Sequence, residues 1–168
     1  VKPIPDKAKP WLRLAVGGAT ALAIACSFTP PHEGTRYTAY PDPGTRGAPW
    51  TICDGHTKGV RQHDTATPAQ CDAWLHEDMA SAAAVVHRCI HVPLNVNQSA
   101  ALYDTVFNVG PAPVCGSTLQ RLANAGDLRG MCAQLPRWKY ANKVIYRGLI
   151  GRRADAMELC NWPTKESP

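Results

Sequence analysis

The chain has 168 residues, enough for one domain with a core of its own. Its 18 Lys and Arg against 13 Asp and Glu give a formal net charge of +5, which suits an anionic partner such as a wall polymer, an anionic lipid or a nucleic acid. The basic residues are scattered, with one cluster at Arg147, Arg152 and Arg153. Without a basic helix or a recognised binding motif, nucleic acid is not expected as the partner.

The first thirteen residues carry Lys2, Lys7, Lys9 and Arg13 against Asp6, and Leu14 to Thr29 then runs without a charge until Pro30 and Pro31. A basic flank, an apolar run and breakers are the grammar of an export signal. As a helix, the 16-residue run would span roughly 24 Å, short of the ~30 Å hydrocarbon core. It is rich in Ala, Gly and Thr, so it would hold a membrane weakly. Three readings stay open: a signal peptide cleaved after Ala23-Ile24-Ala25, a lipoprotein signal with Cys26 as the modified residue, and an uncleaved weak anchor. A buried helix of a soluble core is the alternative against which the basic flank argues.

Residues 30–64 are loop and strand in character, with Trp50 to Cys53 as a short strand. Thr67-Pro68-Ala69-Gln70 is a capping box with Pro at the first helical position. Cys71, Trp74, Leu75, Asp78, Ala82, Val85 and Cys89 then recur at spacings of three and four, predicting a long helix to about Cys89. Further helices are predicted from near Asn97 to a stop at Gly110, over Ser117–Ala125, over Leu128–Leu135 behind an Asp127 cap, and over about Gly148–Leu159. A small loop-and-strand lobe followed by a helical lobe is an α+β design, and a cleft between two such lobes suits an extended polymer.

Seven cysteines stand at 26, 53, 71, 89, 115, 132 and 160, none in a zinc-type Cys-x-x-Cys pair, so no metal site is expected. Six could form three disulfides in an oxidising compartment such as the periplasm; buried reduced thiols in a cytosolic enzyme are the alternative. Six cysteines allow 15 pairings, and the spacing does not choose among them.

Cutting a glycosidic bond commonly takes two carboxyl groups, one protonated and one ionised. Glu33 follows the apolar run directly and precedes Tyr37 and Tyr40; Asp42 lies nine positions on, in a Pro-Asp-Pro-Gly turn. By residue chemistry alone this is a weak site, since Asp42 fits a turn residue and His56 a satisfied structural histidine.

The arrangement of motifs is more specific. Glu33-Gly34, Tyr40-Pro41-Asp42 and Trp50-Thr51-Ile52-Cys53-Asp54-Gly55-His56-Thr57 resemble the active-site signature of the phage-type lysozymes, the family 24 glycoside hydrolases. Ala101 to Gly110, Ser117-Thr118-Leu119, Asn124 to Asp127, Arg137-Trp138, Arg147-Gly148-Leu149 and Arg152-Arg153 continue the resemblance in order as far as Cys160. It implies a lysozyme-like fold and a muramidase that cuts the β-1,4 bond between N-acetylmuramic acid and N-acetylglucosamine in peptidoglycan, without a cofactor. Glu33 would be the general acid, Asp42 the second carboxylate, and Thr51 the hydroxyl that places the water or holds the sugar. His56 would fix the strand lobe, with Tyr40 beside the site. The link from Pro43 to Trp50 is longer than the family's usual one, which bears on the placement of Asp42. A lytic transglycosylase, which needs a single Glu, and a non-catalytic wall-binding protein of the same fold are the alternatives.

The apolar run extends the resemblance to the signal-anchor-release (SAR) endolysins. It implies two parts, an anchor segment over 1–32 and a lysozyme-like domain over 33–168. Residues 14–29 would be carried by the host export machinery into the inner membrane, with the enzyme facing the periplasm. A holin or pinholin that collapses the membrane potential would then release it as a soluble periplasmic enzyme that lyses the host. The resemblance also implies the pairs Cys53–Cys71, Cys89–Cys115 and Cys132–Cys160. That leaves Cys26, either a regulatory thiol able to attack a disulfide or an inert apolar residue.

Overall fold

In the computed structural model, residues 10–41, 49–141, 144–145 and 147–164 are described. Asp42, the insertion at 43–48 and the basic flank at Lys2, Lys7 and Lys9 lie outside them.

The apolar run is not one helix. It is broken at Gly17-Gly18 into α1 (Pro10–Gly17) and α2 (Ala21–Phe28). Gly18 takes φ +82°, a left-handed conformation that costs a residue with a Cβ and costs glycine little. Thr20 then restarts the helix, its hydroxyl accepting from the Ala23 amide at 3.2 Å. Among the described residues no helix is long and apolar enough to cross a membrane.

A single turn, α3 (Pro30–Glu33), follows with prolines in its first turn, where no amide donor is needed. Strands β1 (Arg36–Pro41) and β2 (Trp50–Cys53) pair antiparallel, Tyr40 opposite Thr51 and Arg36 opposite Cys53. The register shifts between Arg36 and Tyr40, as at a bulge. The long helix α4 (Pro68–Cys89) starts at the predicted box: Thr67 and Gln70 cap each other reciprocally. Helix α5 (Val96–Val109) has a box of its own at Asn95 and Gln98 and ends at Gly110. Helices α6 (Thr118–Asn124) and α7 (Leu128–Ala133) carry Ser117 and Asp127 as caps. The helix expected to reach Leu135 stops earlier, and a 3₁₀ turn over Leu135–Arg137 takes the chain past Pro136. A two-residue hairpin of β3 (Tyr140–Ala141) and β4 (Val144–Ile145) precedes α8 (Arg147–Cys160).

Helix α5 is the axis of the core and packs against α2, α4 and α8. Residues Ser99 to Val106 are all buried, so this helix is enclosed on every side. Trp11, Leu12 and Ala15 of α1 and Ile24, Ala25 and Phe28 of α2 belong to the same buried cluster as Leu102, Val106 and Leu159. In this fold the apolar segment is packed into the domain core. Ala- and Gly-rich composition permits it, because small side chains let α2 lie close to α5.

Three disulfides join Cys53 to Cys71, Cys89 to Cys115 and Cys132 to Cys160, the pairs the family resemblance implied. The first ties the strand lobe to α4, the second bridges the end of α4 to the loop after α5, and the third holds α7 to the end of α8. The second closes a separation of 26 residues. Replacing Cys89 and Cys115 together with serine is expected to lower stability by about 2–4 kcal/mol, read as a shifted urea midpoint at unchanged slope. Cys26 is free and half-buried at the edge of the core.

Candidate active site

Glu33 ends α3 at the mouth between the two lobes. Its position follows from the local chain: the Thr29 carbonyl accepts from the amides of His32 at 3.0 Å and Glu33 at 3.2 Å, and Gly34 at φ +74° then turns the backbone into β1. The Glu33 side chain is about a quarter exposed. Its Oε1 accepts from Asn108 Nδ2 at 3.2 Å and from Arg152 Nη1. Both bonds fall on one oxygen, Oε1.

Behind Glu33 lies a buried polar network. Arg152 donates through Nε to Asp104 Oδ2 at 3.1 Å and through Nη2 to Asp104 Oδ1 at 2.6 Å, a two-pronged pairing that suits the planar guanidinium. Arg153, fully buried, donates to Thr105 Oγ1 at 2.8 Å and to Asn108 Oδ1 at 2.6 Å. Asn108 thus accepts from Arg153 and donates to Glu33, so Arg153 fixes which way the amide faces. Burial by itself pushes the Asp104 carboxyl up, but the charges and hydrogen bonds of Arg152, with Arg153 and Thr29, outweigh it and hold Asp104 below its ordinary value. Burial lowers Arg153 to about 10, which leaves it charged at neutral pH. Arg152, despite burial, is raised by Asp104 and then Glu33. The buried Asp104 charge is therefore paired by Arg152 and Arg153 where a lone charge would be costly.

Gly55 faces Glu33 from the strand lobe. A Cβ there would lie 3.4 Å from the Phe107 ring and 3.9 Å from Glu33 Cδ, and the residue has φ +105°. Gly55→Ala is therefore expected to cost about 1–3 kcal/mol through backbone strain, beside the site. Its check is a lowered Tm together with reduced turnover. From Gly55 and Phe107 a groove of about 290 Å³ runs between α4 and α5, lined by Thr57, Asp78, Ser81 and Val85 among others. Such an open groove can hold part of a chain-like ligand.

Thr51 lies on β2, nearly buried and opposite Tyr40, its hydroxyl 3.5 Å from the Pro49 carbonyl. That contact is too long to hold the hydroxyl firmly, so it is free to turn to a ligand. The Arg36 guanidinium covers the Tyr40 ring at 4.5 Å. His56 has Asp78 at 2.7 Å on Nδ1, the Lys58 carbonyl at 3.0 Å on Nε2, and the Trp74 ring stacked on it at 4.7 Å. Those contacts tie the strand lobe to α4 and use both ring nitrogens. Thr35 donates to Asp54 at 2.5 Å in the same lobe. Among the described residues no group of three His, Cys, Asp or Glu is placed to hold a metal ion.

The structure joins Glu33 to residues outside its own motif: Asp104, Asn108, Arg152 and Arg153. One signal was available. Asp104 is a charged residue in the middle of an otherwise uncharged run, and a buried carboxylate requires a buried cation.

A family model described as phage lysozyme matches residues 31–156. A SAR-endolysin of Enterobacteria phage P21 is 39% identical over 163 residues, spanning 91% of this chain and 97% of that protein. Among solved structures, the muramidase domain of SpmX from Asticaccaulis excentricus superposes with a TM-score of 0.74 at 29% identity, over 83% of this chain and 95% of that one. A P22 lysozyme variant superposes with a TM-score of 0.70 at 30% identity, over 80% and 93%. The stretch from α3 to α8 that builds the Glu33 site is the stretch the family model covers, and the chain belongs to the phage lysozyme family, as an endolysin of the SAR type and a glycoside hydrolase.

Proposed function

We propose that this chain hydrolyses the β-1,4 bond between N-acetylmuramic acid and N-acetylglucosamine in peptidoglycan, with Glu33 as the general acid. The observation that carries this reading is the fixed Glu33 carboxyl: Asn108 and Arg152 both engage Oε1, and Gly55, which lines the open groove, faces it. Protonated on Oε2, it would donate to the leaving oxygen. Asp42, next in the chain after Pro41, would be the second carboxylate, supporting positive charge on the sugar or activating water. Thr51, on the neighbouring strand, would place that water or hold the sugar. Tyr40 would stand beside them, and His56 would keep the strand lobe fixed.

The membrane reading belongs to the same proposal. Residues 14–29 would first lie in the inner membrane, delivered by the host export machinery, with the enzyme domain on the periplasmic face. A holin or pinholin that collapses the potential would set them free. Ile24, Ala25 and Phe28 would then exchange lipid for the protein core, both apolar, so the exchange carries little desolvation cost. While residue 26 is in lipid, the six residues from Ser27 to His32 reach about 20 Å at most, which pins Glu33 near the bilayer. As long as α2 is docked, Cys26 sits at the edge of the core, so thiol exchange through it would need the undocked state.

The test uses purified sacculi and mass spectrometry of the released fragments. Hydrolysis yields N-acetylmuramic acid with a free reducing end; an anhydro-sugar would instead identify a transglycosylase, and no release a wall-binding protein. In cells, the chain is expected in the inner-membrane fraction while the membrane is energised and in the soluble periplasm after depolarisation. A chain soluble under both conditions would sink the anchor reading.

A further inference from the structure

Thr29 is fully buried at the joint where α2 ends and α3 begins. Its carbonyl sets the turn that carries Glu33. Its Oγ1 lies 2.9 Å from Asp104 Oδ1 and 3.1 Å from the Ala25 carbonyl. A hydroxyl has one proton to give, and the carboxylate is both the nearer acceptor and the charged one, so the O–H donates to Asp104. Asp104 in turn takes two bonds from Arg152, whose remaining Nη1 goes to Glu33. An unbroken hydrogen-bonded path thus leads from the end of the N-terminal apolar segment to the candidate acid, and every member of it except Glu33 is buried.

We propose that Thr29 is a positioning residue that couples the docking of α2 to the orientation of the Glu33 carboxyl, by way of Asp104 and Arg152. The inference rests on Glu33 being the acid. When α2 is docked, Thr29 is the only hydroxyl bonded to Asp104 among the described residues, and it shares Oδ1 with Nη2 of Arg152. With the hydroxyl gone, Asp104 leans further on Arg152, and the guanidinium turns away from its single bond to Glu33. The segment then does more than fill the core: through one side chain it sets the acid. Thr29 touches no substrate, so its removal lowers turnover and leaves binding alone.

Turnover on soluble peptidoglycan fragments is measured with the full-length chain. Thr29→Val, close to isosteric, is expected to lower kcat by about ten- to a hundredfold with KM within about twofold, the scale of a misplaced reacting group. Thr29→Ser is expected to restore most of it. Thr20→Val removes the cap at the other end of α2, loosening the helix without touching Asp104; it is expected to lower Tm and leave kcat unchanged. Wild-type kcat in Thr29→Val, or an equal loss of kcat in Thr20→Val, would overturn the coupling. Thr29→Ala gives the same comparison if the valine variant does not fold. Glu33→Gln run alongside separates the two readings. If it turns over like wild type, the acid assignment has failed; if it is inactive while Thr29→Val is not, only the coupling has.

Discussion

Arg152→Met is expected to lower stability by about 3–5 kcal/mol, because it leaves the fully buried Asp104 without its principal cation. Methionine matches the arginine stem in length, so the loss would come from charge and hydrogen bonding, not from a cavity. Arg153, 3.6 Å from Asp104, is already engaged by Thr105 and Asn108 and cannot replace a two-pronged pair. Urea unfolding reads the effect directly; a change below about 1 kcal/mol would mean that Asp104 is neutral or hydrated in the native protein. The pH dependence supplies a second reading. Asp104 is held below its ordinary value of 3.8, so its contribution is fully present above that pH and is lost as the pH falls through the lower folded value. In Arg152→Met that hold is weakened and burial dominates, so the acid unfolding limb moves to higher pH. An unmoved limb would argue against the network as the source of acid stability.

Glu33→Gln should abolish wall lysis while leaving the fold intact. Glutamine keeps an oxygen that can accept from Asn108 and Arg152, as Glu33 Oε1 does, so Tm should shift little. What it lacks is a proton to give. Loss of a general acid costs about 10²–10⁴-fold in kcat, which the rate of reducing-end release from sacculi would show. Undiminished release would remove Glu33 from the chemistry. The two variants also separate two roles. Arg152→Met should lose stability and turnover together, and Glu33→Gln turnover alone.

Local signals account for most of the helical lobe. The Thr67–Gln70 box, the Asp127 cap and the stop at Gly110 are decided by donors and acceptors within a few residues, so short windows of sequence reveal them. Boundaries that depend on later packing were less legible: the chain leaves α7 two residues earlier than its apolar pattern and turns through Pro136. The site divides in the same way. Glu33, Thr51, Gly55 and His56 stand out by motif. Asp104, Asn108, Arg152 and Arg153 lie 71 or more residues beyond Glu33 in the chain, and their roles exist only once α5 and α8 are packed together.

By itself, then, the sequence determined the α+β layout, the motifs around Glu33, Thr51 and His56, and an N-terminal run apolar enough to leave water. It did not determine where that run would go. Lipid and a protein interior reward the same side chains, and an Ala- and Gly-rich helix with no polar stripe carries no mark that separates them. Tertiary structure shows how the run is accommodated in the folded domain: Gly17-Gly18 breaks it, α2 lies against α5, and Thr29 meets Asp104. The same packing decided the electrostatics of the site. Asp104 and Arg152 are separated by 48 residues, and only the buried contact between their helices makes their charges each other's condition for being inside.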